Sequence, residues 1–76
     1  MAKRTKRQFV ICVNKAGDDI DLDLRKIYES VSDADAERHD MIRVFDNSGE
    51  DYLYPKDYFI PIELPTSVRM ALRRAS

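Results

Sequence analysis

Short apolar stretches, separated by turn signals, predict about five strands along the chain. Residues 8–14, QFVICVN, form a continuous run rich in β-branched residues, as in a buried strand. Residues 41–45, MIRVF, predict a strand with Ile42 and Val44 on one face, and residues 52–54 predict its return partner. Gly49 supplies the positive φ that the turn between these two strands needs. Strands this short and this closely spaced favour a small antiparallel barrel.

Two segments between the first and third strands have more than one interpretation. Residues 18–24, DDIDLDL, alternate acids with aliphatic residues, which predicts an extended segment with Ile20, Leu22 and Leu24 on one face. Residues 25–31 fit a strand or a helix, and as a strand they would place Tyr28 opposite Ile27 and Val31. Residues 33–39 predict a loop with at most one helical turn, for which Ser32 is the candidate N-cap.

Prolines and a short helical pattern define the C-terminal part. Pro55 ends its strand or lies on a sheet edge, and Pro61 marks an edge position in a last strand over residues 59–64. Thr66 is positioned to cap a helix over residues 67–74, whose apolar residues are expected to dock on the barrel, or alternatively on a partner. These residues are Val68, Ala71 and Leu72. The predicted organisation is a disordered basic tail (1–7), a barrel (8–65) and a short basic helix or tail (66–76).

The stretch from Met41 to Ile62 resembles the C-terminal half of an SH3 domain. The resemblance rests on a Ser-Gly-Glu turn at residues 48–50, on Pro55, and on Tyr58 three places later. It implies an all-β fold, a small five-stranded SH3-like barrel with a short C-terminal helix, in which a single 3₁₀ turn precedes the last strand. Residues 17–24 would then form the long RT-type loop. The chain also resembles small bacterial proteins that carry a GEDYLYP-type segment.

The resemblance further implies a groove that grips a proline-containing or basic extended segment. The candidate groove residues are Tyr28, Met41, Tyr54, Pro55, Tyr58, Asp19 and Asp21. Pro55 and Tyr58 match peptide-groove positions, whereas Met41 stands where the family has its binding tryptophan, and the chain has no tryptophan. Leu53 and Phe59 are the predicted core residues, with Tyr54 and Tyr58 at a surface. The alternative is that all of these aromatic residues are structural.

Charge is distributed unevenly, although the formal net charge is only −1. The basic residues at the two ends are Lys3, Arg4, Lys6, Arg7, Arg69, Arg73 and Arg74. All 14 acidic residues lie between these ends, with the remaining six basic residues. Contact of the basic ends with phosphates gives the alternative function, a nucleic-acid-associated protein. The acidic middle opposes it, because a basic domain is the usual signature of nucleic-acid binding.

The chain lacks the residue combinations that most catalytic and metal sites require. It has one histidine, His39, and one cysteine, Cys12, which lies in an apolar run and is expected to pack in the core. The carboxylates of residues 18–23 do not form a calcium loop, because Leu24 and Ser30 stand where that loop needs glycine and glutamate. We therefore expect no enzyme activity, no cofactor and no metal. No apolar run reaches the roughly 20 residues of a membrane span, and the predicted location is the cytoplasm.

These features predict one small domain that acts as a non-catalytic interaction module. Its expected partner is an extended segment of another protein. A further possibility is a subunit of a larger assembly, held by an exposed strand edge or by the C-terminal helix. The sequence does not specify the oligomeric state.

Overall fold

The computed structural model describes residues 7–17 and 20–75. The strands are β1 (Arg7–Cys12), β2 (Ile27–Val31), β3 (Met41–Phe45), β4 (Asp51–Pro55) and β5 (Phe59–Pro61). The helical elements are α1 (Ala34–Arg38), a 3₁₀ turn (Lys56–Tyr58) and α2 (Thr66–Ala75). A mostly β fold with a short C-terminal helix is thus confirmed. β1 begins at Arg7, the last residue of the predicted tail, and the other tail residues lie outside the described ranges.

The five strands form one antiparallel sheet in the order β4-β3-β2-β1-β5. β2, β3 and β4 follow one another as a meander, and β5 returns to pair with the free side of β1. The predicted edge positions are confirmed, since Pro55 lies on edge strand β4 and Pro61 on edge strand β5. Proline has no N–H to donate, and on an edge strand this position can face the unpaired side, so that no hydrogen bond of the sheet is lost.

The connection between β4 and β5 requires the sheet to curl. These strands lie at opposite edges, yet only the three residues of the 3₁₀ turn separate them. In a flat sheet the edges of five strands would be about 19 Å apart. The four peptide steps from Pro55 to Phe59 reach at most about 15 Å even when fully extended. The two edges therefore approach each other at this end.

The core lies on the inner face of the curled sheet. Val10, Cys12 and Val44 are fully buried there, with 0 % of their surface exposed. Val10 and Cys12 are two positions apart on β1, so both point to the same face. The other members of this cluster are Leu22, Tyr28 and Phe59. The expected core position of Cys12 is confirmed, and burial is the main reason that the pKa of its thiol is raised.

The assignment of strand faces corrects one predicted core residue. Leu53 points to the outer face of β4 and is 44 % exposed, so the prediction that it lies in the core was wrong. Phe59 is 5 % exposed, which confirms the other prediction. In β2 the inward positions are Tyr28 and Ser30, and the aliphatic residues on either side are only half-buried. The Ser30 hydroxyl is satisfied there because it donates to the Gln8 carbonyl over 3.1 Å.

The described part of the alternating acidic segment, residues 20–24, does not form a strand. The prediction that Leu22 and Leu24 share one face was wrong, because Leu22 is 1 % exposed whereas Leu24 is 51 % exposed. The alternation ends because the chain turns at Arg25, which has φ of 68°. The Arg25 N–H donates to the Cys12 carbonyl over 2.7 Å, and this bond brings the chain back to the end of β1.

α1 begins one residue later than the sequence suggested. Asp33, not Ser32, is the N-cap, and its Oδ1 accepts from the N–H groups of Asp35 and Ala36 over 3.0 and 3.1 Å. The other oxygen of Asp33 accepts from Arg43 Nε over 2.8 Å, so the cap also fastens α1 to β3. The arginine hydrogen bond is the main reason that the pKa of Asp33 is lowered.

α2 contacts the sheet through Arg73, whereas two of the three apolar residues predicted to dock are exposed. Arg73 donates to a carboxylate oxygen of Glu29 over 3.1 Å, and its guanidinium lies 5.6 Å from the centre of the Phe9 ring. Val68 is 40 % exposed, Ala71 is exposed, and Leu72 is half-buried. The expected docking on the barrel through these apolar residues was therefore wrong for Val68 and Ala71.

Candidate functional site

A chain of ring contacts links the aromatic residues of β2, β4 and the segment that follows β4. The ring centres of Tyr28 and Phe59 are 6.2 Å apart, and those of Phe59 and Tyr54 are 6.1 Å apart. The Tyr54 and Tyr58 rings follow at 6.4 Å and are tilted by 31°. These distances lie in the range in which aromatic pairs attract each other. The first two rings are buried, whereas Tyr54 and Tyr58 are half-buried and partly face solvent.

Tyr28 belongs to the core, which corrects its assignment to the groove. Its ring is 5 % exposed, because residue 28 is on the inner face of β2. Its hydroxyl accepts from the Asp23 N–H over 2.7 Å and donates to Asn47 Oδ1 over 3.1 Å. Burial is the main cause of the raised pKa of this hydroxyl. Tyr28 therefore joins the loop before β2 to the turn after β3, and its ring is not available to a ligand.

Tyr54 is fixed by a hydrogen bond to a buried carboxylate. Its hydroxyl donates to Asp46 Oδ2 over 2.5 Å, and Asp46 is only 7 % exposed. The other oxygen of Asp46 accepts from the Ser48 N–H over 2.9 Å and from the Ser48 hydroxyl over 2.5 Å. Burial would raise the pKa of Asp46, but these hydrogen bonds outweigh it and lower that pKa. The pKa of Tyr54 is strongly raised, by burial first and then by the hydrogen bond to Asp46.

Tyr58 is positioned by the backbone of the 3₁₀ turn. Its carbonyl accepts from the N–H groups of Val13 and Asn14 over 2.8 and 3.3 Å, which ties the turn to the end of β1. At the other end of the turn, the Lys56 N–H donates to the Asp40 carbonyl over 2.9 Å. The turn is thus held on both sides, and the half-buried Tyr58 ring has a defined place beside Tyr54.

Pro55 and Met41 are two further groove candidates, and the alternation of strand faces directs their side chains to the outer face, opposite to that of Tyr54. They lie directly opposite each other in the β3–β4 register, and both are half-buried. Pro55 is the last residue of β4, and it lies in the chain between Tyr54 and the turn that carries Tyr58. We call these four residues, Met41, Tyr54, Pro55 and Tyr58, the aromatic surface.

One of the two candidate acids lies near the hydroxyl end of Tyr54. Asp21 is exposed, and its carbonyl accepts from the Asn47 N–H over 2.9 Å. Its negative charge adds to the causes that raise the pKa of Tyr54. Asp21 therefore gives one side of the aromatic surface a negative potential. Asp19 lies outside the described residues.

Two of the candidate basic residues are used in ion pairs within the protein. Arg7 and Arg73 both approach Glu29, at 3.8 and 3.1 Å, and Arg7 also lies 4.8 Å from the centre of the Phe45 ring. The remaining arginines of α2, Arg69 and Arg74, are exposed. Lys3, Arg4 and Lys6 lie outside the described residues. Glu29 thus neutralises part of the positive charge on which the nucleic-acid alternative depends.

A wide groove at one end of the sheet was not predicted from the sequence. It has a volume of about 720 Å³ and lies where β1 begins, β2 ends and β3 begins, beside α1 and α2. Its lining mixes apolar side chains such as Phe9 and Met41 with arginines such as Arg43. Arg43 is paired with Asp33 at 2.8 Å and with Asp51 at 3.3 Å. No local sequence signal marks this groove, because the segments that line it are far apart in the chain.

Within residues 7–17 and 20–75, no group of three or more His, Cys, Asp or Glu residues is arranged to hold a metal ion. The Nδ1 atom of His39 lies 2.9 Å from the Asp35 carbonyl on the exposed side of α1. Across the same described ranges, neither helix has the length and apolar content that a membrane-crossing helix requires.

Comparison of the chain with protein-family models, with curated proteins and with solved structures found no match.

Proposed function

We propose that the protein is an SH3-like interaction module whose aromatic surface binds an extended segment of another protein. The observation that carries this proposal is the half-buried pair of Tyr54 and Tyr58 rings, 6.4 Å apart, on either side of Pro55. Ring faces that are held in place and partly exposed suit a ligand that lies flat along them.

The strand order supports the SH3-like part of the proposal. In the order β4-β3-β2-β1-β5, the last strand returns to the first one after a 3₁₀ turn, as the resemblance implies. The connection between β1 and β2 is the longest between strands and occupies the place of the RT-type loop. The curl that brings β4 and β5 together at the 3₁₀ turn is the shape expected when such a sheet wraps into a barrel.

The chemistry of the surface favours a ligand with proline and basic residues. A polyproline II segment has an ordered backbone before it binds, so it loses little entropy when it lies against fixed rings. Asp21 beside Tyr54 favours an arginine or lysine in the ligand. Met41 in the place of tryptophan removes an indole donor, so the contact at this position is apolar and adaptable.

The test is a titration that follows backbone amide NMR signals while peptides with proline and arginine residues are added. We expect shifts concentrated at residues 54–58, and we expect Tyr58→Ala to weaken binding at least about tenfold, as loss of an aromatic anchor does. The matched control is Tyr52→Ala, since Tyr52 is 47 % exposed and lies outside the ring contacts. Equal affinity of the folded Tyr58→Ala variant and the wild type would remove the aromatic surface from consideration.

A further inference from the structure

We propose that β4 pairs with β4 of a second copy of this chain, antiparallel and about a twofold axis, to form a homodimer. β4 is an edge strand, so only β3 lies beside it in the sheet. An edge strand offers unpaired backbone donors and acceptors to another strand. This inference rests on the free edge of β4 and not on the ligand proposed above, although β4 includes Tyr54 and Pro55 of the aromatic surface.

The register of the β3–β4 hairpin identifies the backbone groups that face outward. The Asp46 N–H donates to the Glu50 carbonyl over 3.1 Å next to the turn. Hydrogen-bonded and non-bonded pairs alternate along an antiparallel ladder. Tyr52 and Tyr54, opposite Val44 and Ile42, therefore bond to β3. The N–H and C=O groups of the residues between and beside them point away from the sheet.

Those outward positions are Asp51, Leu53 and Pro55. Pro55 loses no bond to β3, because its missing N–H would have faced the free side. Leu53 keeps both of its backbone groups available at the middle of the strand.

The side chains around this edge are apolar and open to solvent. Tyr52 is 47 % exposed and Leu53 is 44 % exposed, at neighbouring positions that point to opposite faces of β4. Proteins protect free edges with short strands, lysine, proline, inward charges or bulges. β4 pairs with β3 over residues 51–55 without a bulge, and this stretch contains no lysine. Pro55 limits pairing only at the end of the strand.

A twofold axis at Leu53 gives a self-complementary register. Leu53 then lies opposite Leu53 of the second copy, and the two exchange both backbone hydrogen bonds. Tyr52 lies opposite Tyr54 of the second copy, which is an aromatic cross-strand pair of the kind that stabilises sheets. Asp51 lies opposite Pro55 of the second copy and can donate its N–H to that carbonyl.

Charge at the two ends of β4 favours the antiparallel second copy. Glu50 precedes the strand and Lys56 follows it, so the antiparallel arrangement brings unlike charges to the same end. A parallel arrangement would place Glu50 near Glu50. Within the described ranges no ion pair occupies Lys56, and the charge of Asp51 is partly balanced by Arg43 at 3.3 Å. Lys56 and Asp57 both belong to the 3₁₀ turn, but Lys56 directly follows the strand, and its N–H donates to the Asp40 carbonyl in continuation of the β3–β4 ladder.

The test is size-exclusion chromatography with light scattering from about 10 μM to about 1 mM, a range that detects a weak dimer. We expect the mass to rise toward about twice the 8.9 kDa of the monomer. Leu53→Arg places like charges at the axis and should weaken dimerisation at least about tenfold. The matched control is Ile60→Arg on the other edge strand, at a residue that is 52 % exposed, and it should leave dimerisation unchanged.

Charge reversal gives a second test in case Leu53→Arg fails to fold. Glu50→Lys and Lys56→Glu should each weaken the dimer, and the double variant should recover it. A wild-type mass that stays at that of the monomer up to the highest concentration would overturn the proposal. Loss of the dimer in Ile60→Arg but not in Leu53→Arg would also overturn it, by assigning the contact to β5.

Discussion

Removal of the Tyr54 hydroxyl probes the contact on which the aromatic surface is built. In Tyr54→Phe the ring remains, but the buried carboxylate of Asp46 loses a donor that now lies 2.5 Å away. A hydrogen bond to a charged group contributes about 1.5–3 kcal/mol to the free energy of unfolding. Because Tyr54 is only half-buried, water replaces part of the lost bond, so we expect the lower part of that range.

The assay is thermal unfolding followed by circular dichroism, with Tyr52→Phe as the matched control. A loss of about 1.5–2 kcal/mol corresponds to a fall in Tm of roughly 6–16 °C for a domain of this size. The Tyr52 hydroxyl donates to Glu50 over 3.0 Å in an exposed position, so its removal should leave Tm unchanged within error.

The pH dependence of the Tyr54→Phe effect provides an internal check. The pKa of Asp46 in the folded protein lies below its ordinary value of 3.8. The ionised Asp46 carboxylate therefore stabilises the folded protein fully at pH values above 3.8. This contribution is lost as pH falls through the folded-state pKa, because protonation removes the charge that the hydroxyl stabilises. The difference in Tm between wild type and Tyr54→Phe should therefore narrow below about pH 4. Equal Tm values for Tyr54→Phe and wild type at pH 7 would show that the hydrogen bond from Tyr54 to Asp46 does not stabilise the fold.

Two further predictions concern the core. Leu22→Ala should cost about 2–5 kcal/mol of stability, because Leu22 is 1 % exposed. Leu24→Ala in the same segment should be nearly neutral, because Leu24 is 51 % exposed, and equal losses in urea unfolding would contradict the placement of this loop. The thiol of Cys12, 0 % exposed and with a raised pKa, should react with a thiol reagent at pH 8 only after unfolding. Rapid labelling of the native protein would show that the Cys12 thiol is not buried as described.

The strands were predictable because their signals are local. Residues 8–14 and 41–45 combine apolar and β-branched side chains, and Gly49 has the positive φ, 87°, that its turn position required. The Asp33 cap was missed by one residue because Ser32 and Asp33 are both good N-caps and only the path of the chain decides between them.

The faces of the strands were harder to predict than their positions. Period 2 shows that Leu53 and Tyr54 point opposite ways, but it does not show which face is inside. Tyr54 packs against the core because Asp46 accepts from its hydroxyl, and Ser48 donates to the other oxygen of Asp46. These contacts depend on the geometry of the hairpin. Tyr28 is buried for a similar reason, since Asp23 and Asn47 satisfy its hydroxyl. Such partners are separated along the chain and leave no periodic signal.

The docking of α2 shows how electrostatic contacts can decide where a helix lies. Val68, Ala71 and Leu72 form an apolar stripe, which predicts burial against the sheet. In the structure Arg73 reaches Glu29 and the Phe9 ring instead, and this orientation leaves Val68 exposed. The helix itself was predicted from its sequence pattern. The residues that it contacts belong to β1 and β2, and the pattern of the helix contains no information about them.

Binding of a protein partner by the aromatic surface is best tested by affinity capture from the source cell's lysate with wild-type protein and with Tyr58→Ala, each before and after nuclease treatment. The proposed interaction module predicts a defined protein partner that survives nuclease and is lost with Tyr58→Ala. Retention of nucleic acid alone, removed by nuclease and equal for both proteins, would contradict the account and favour contacts through the basic ends of the chain.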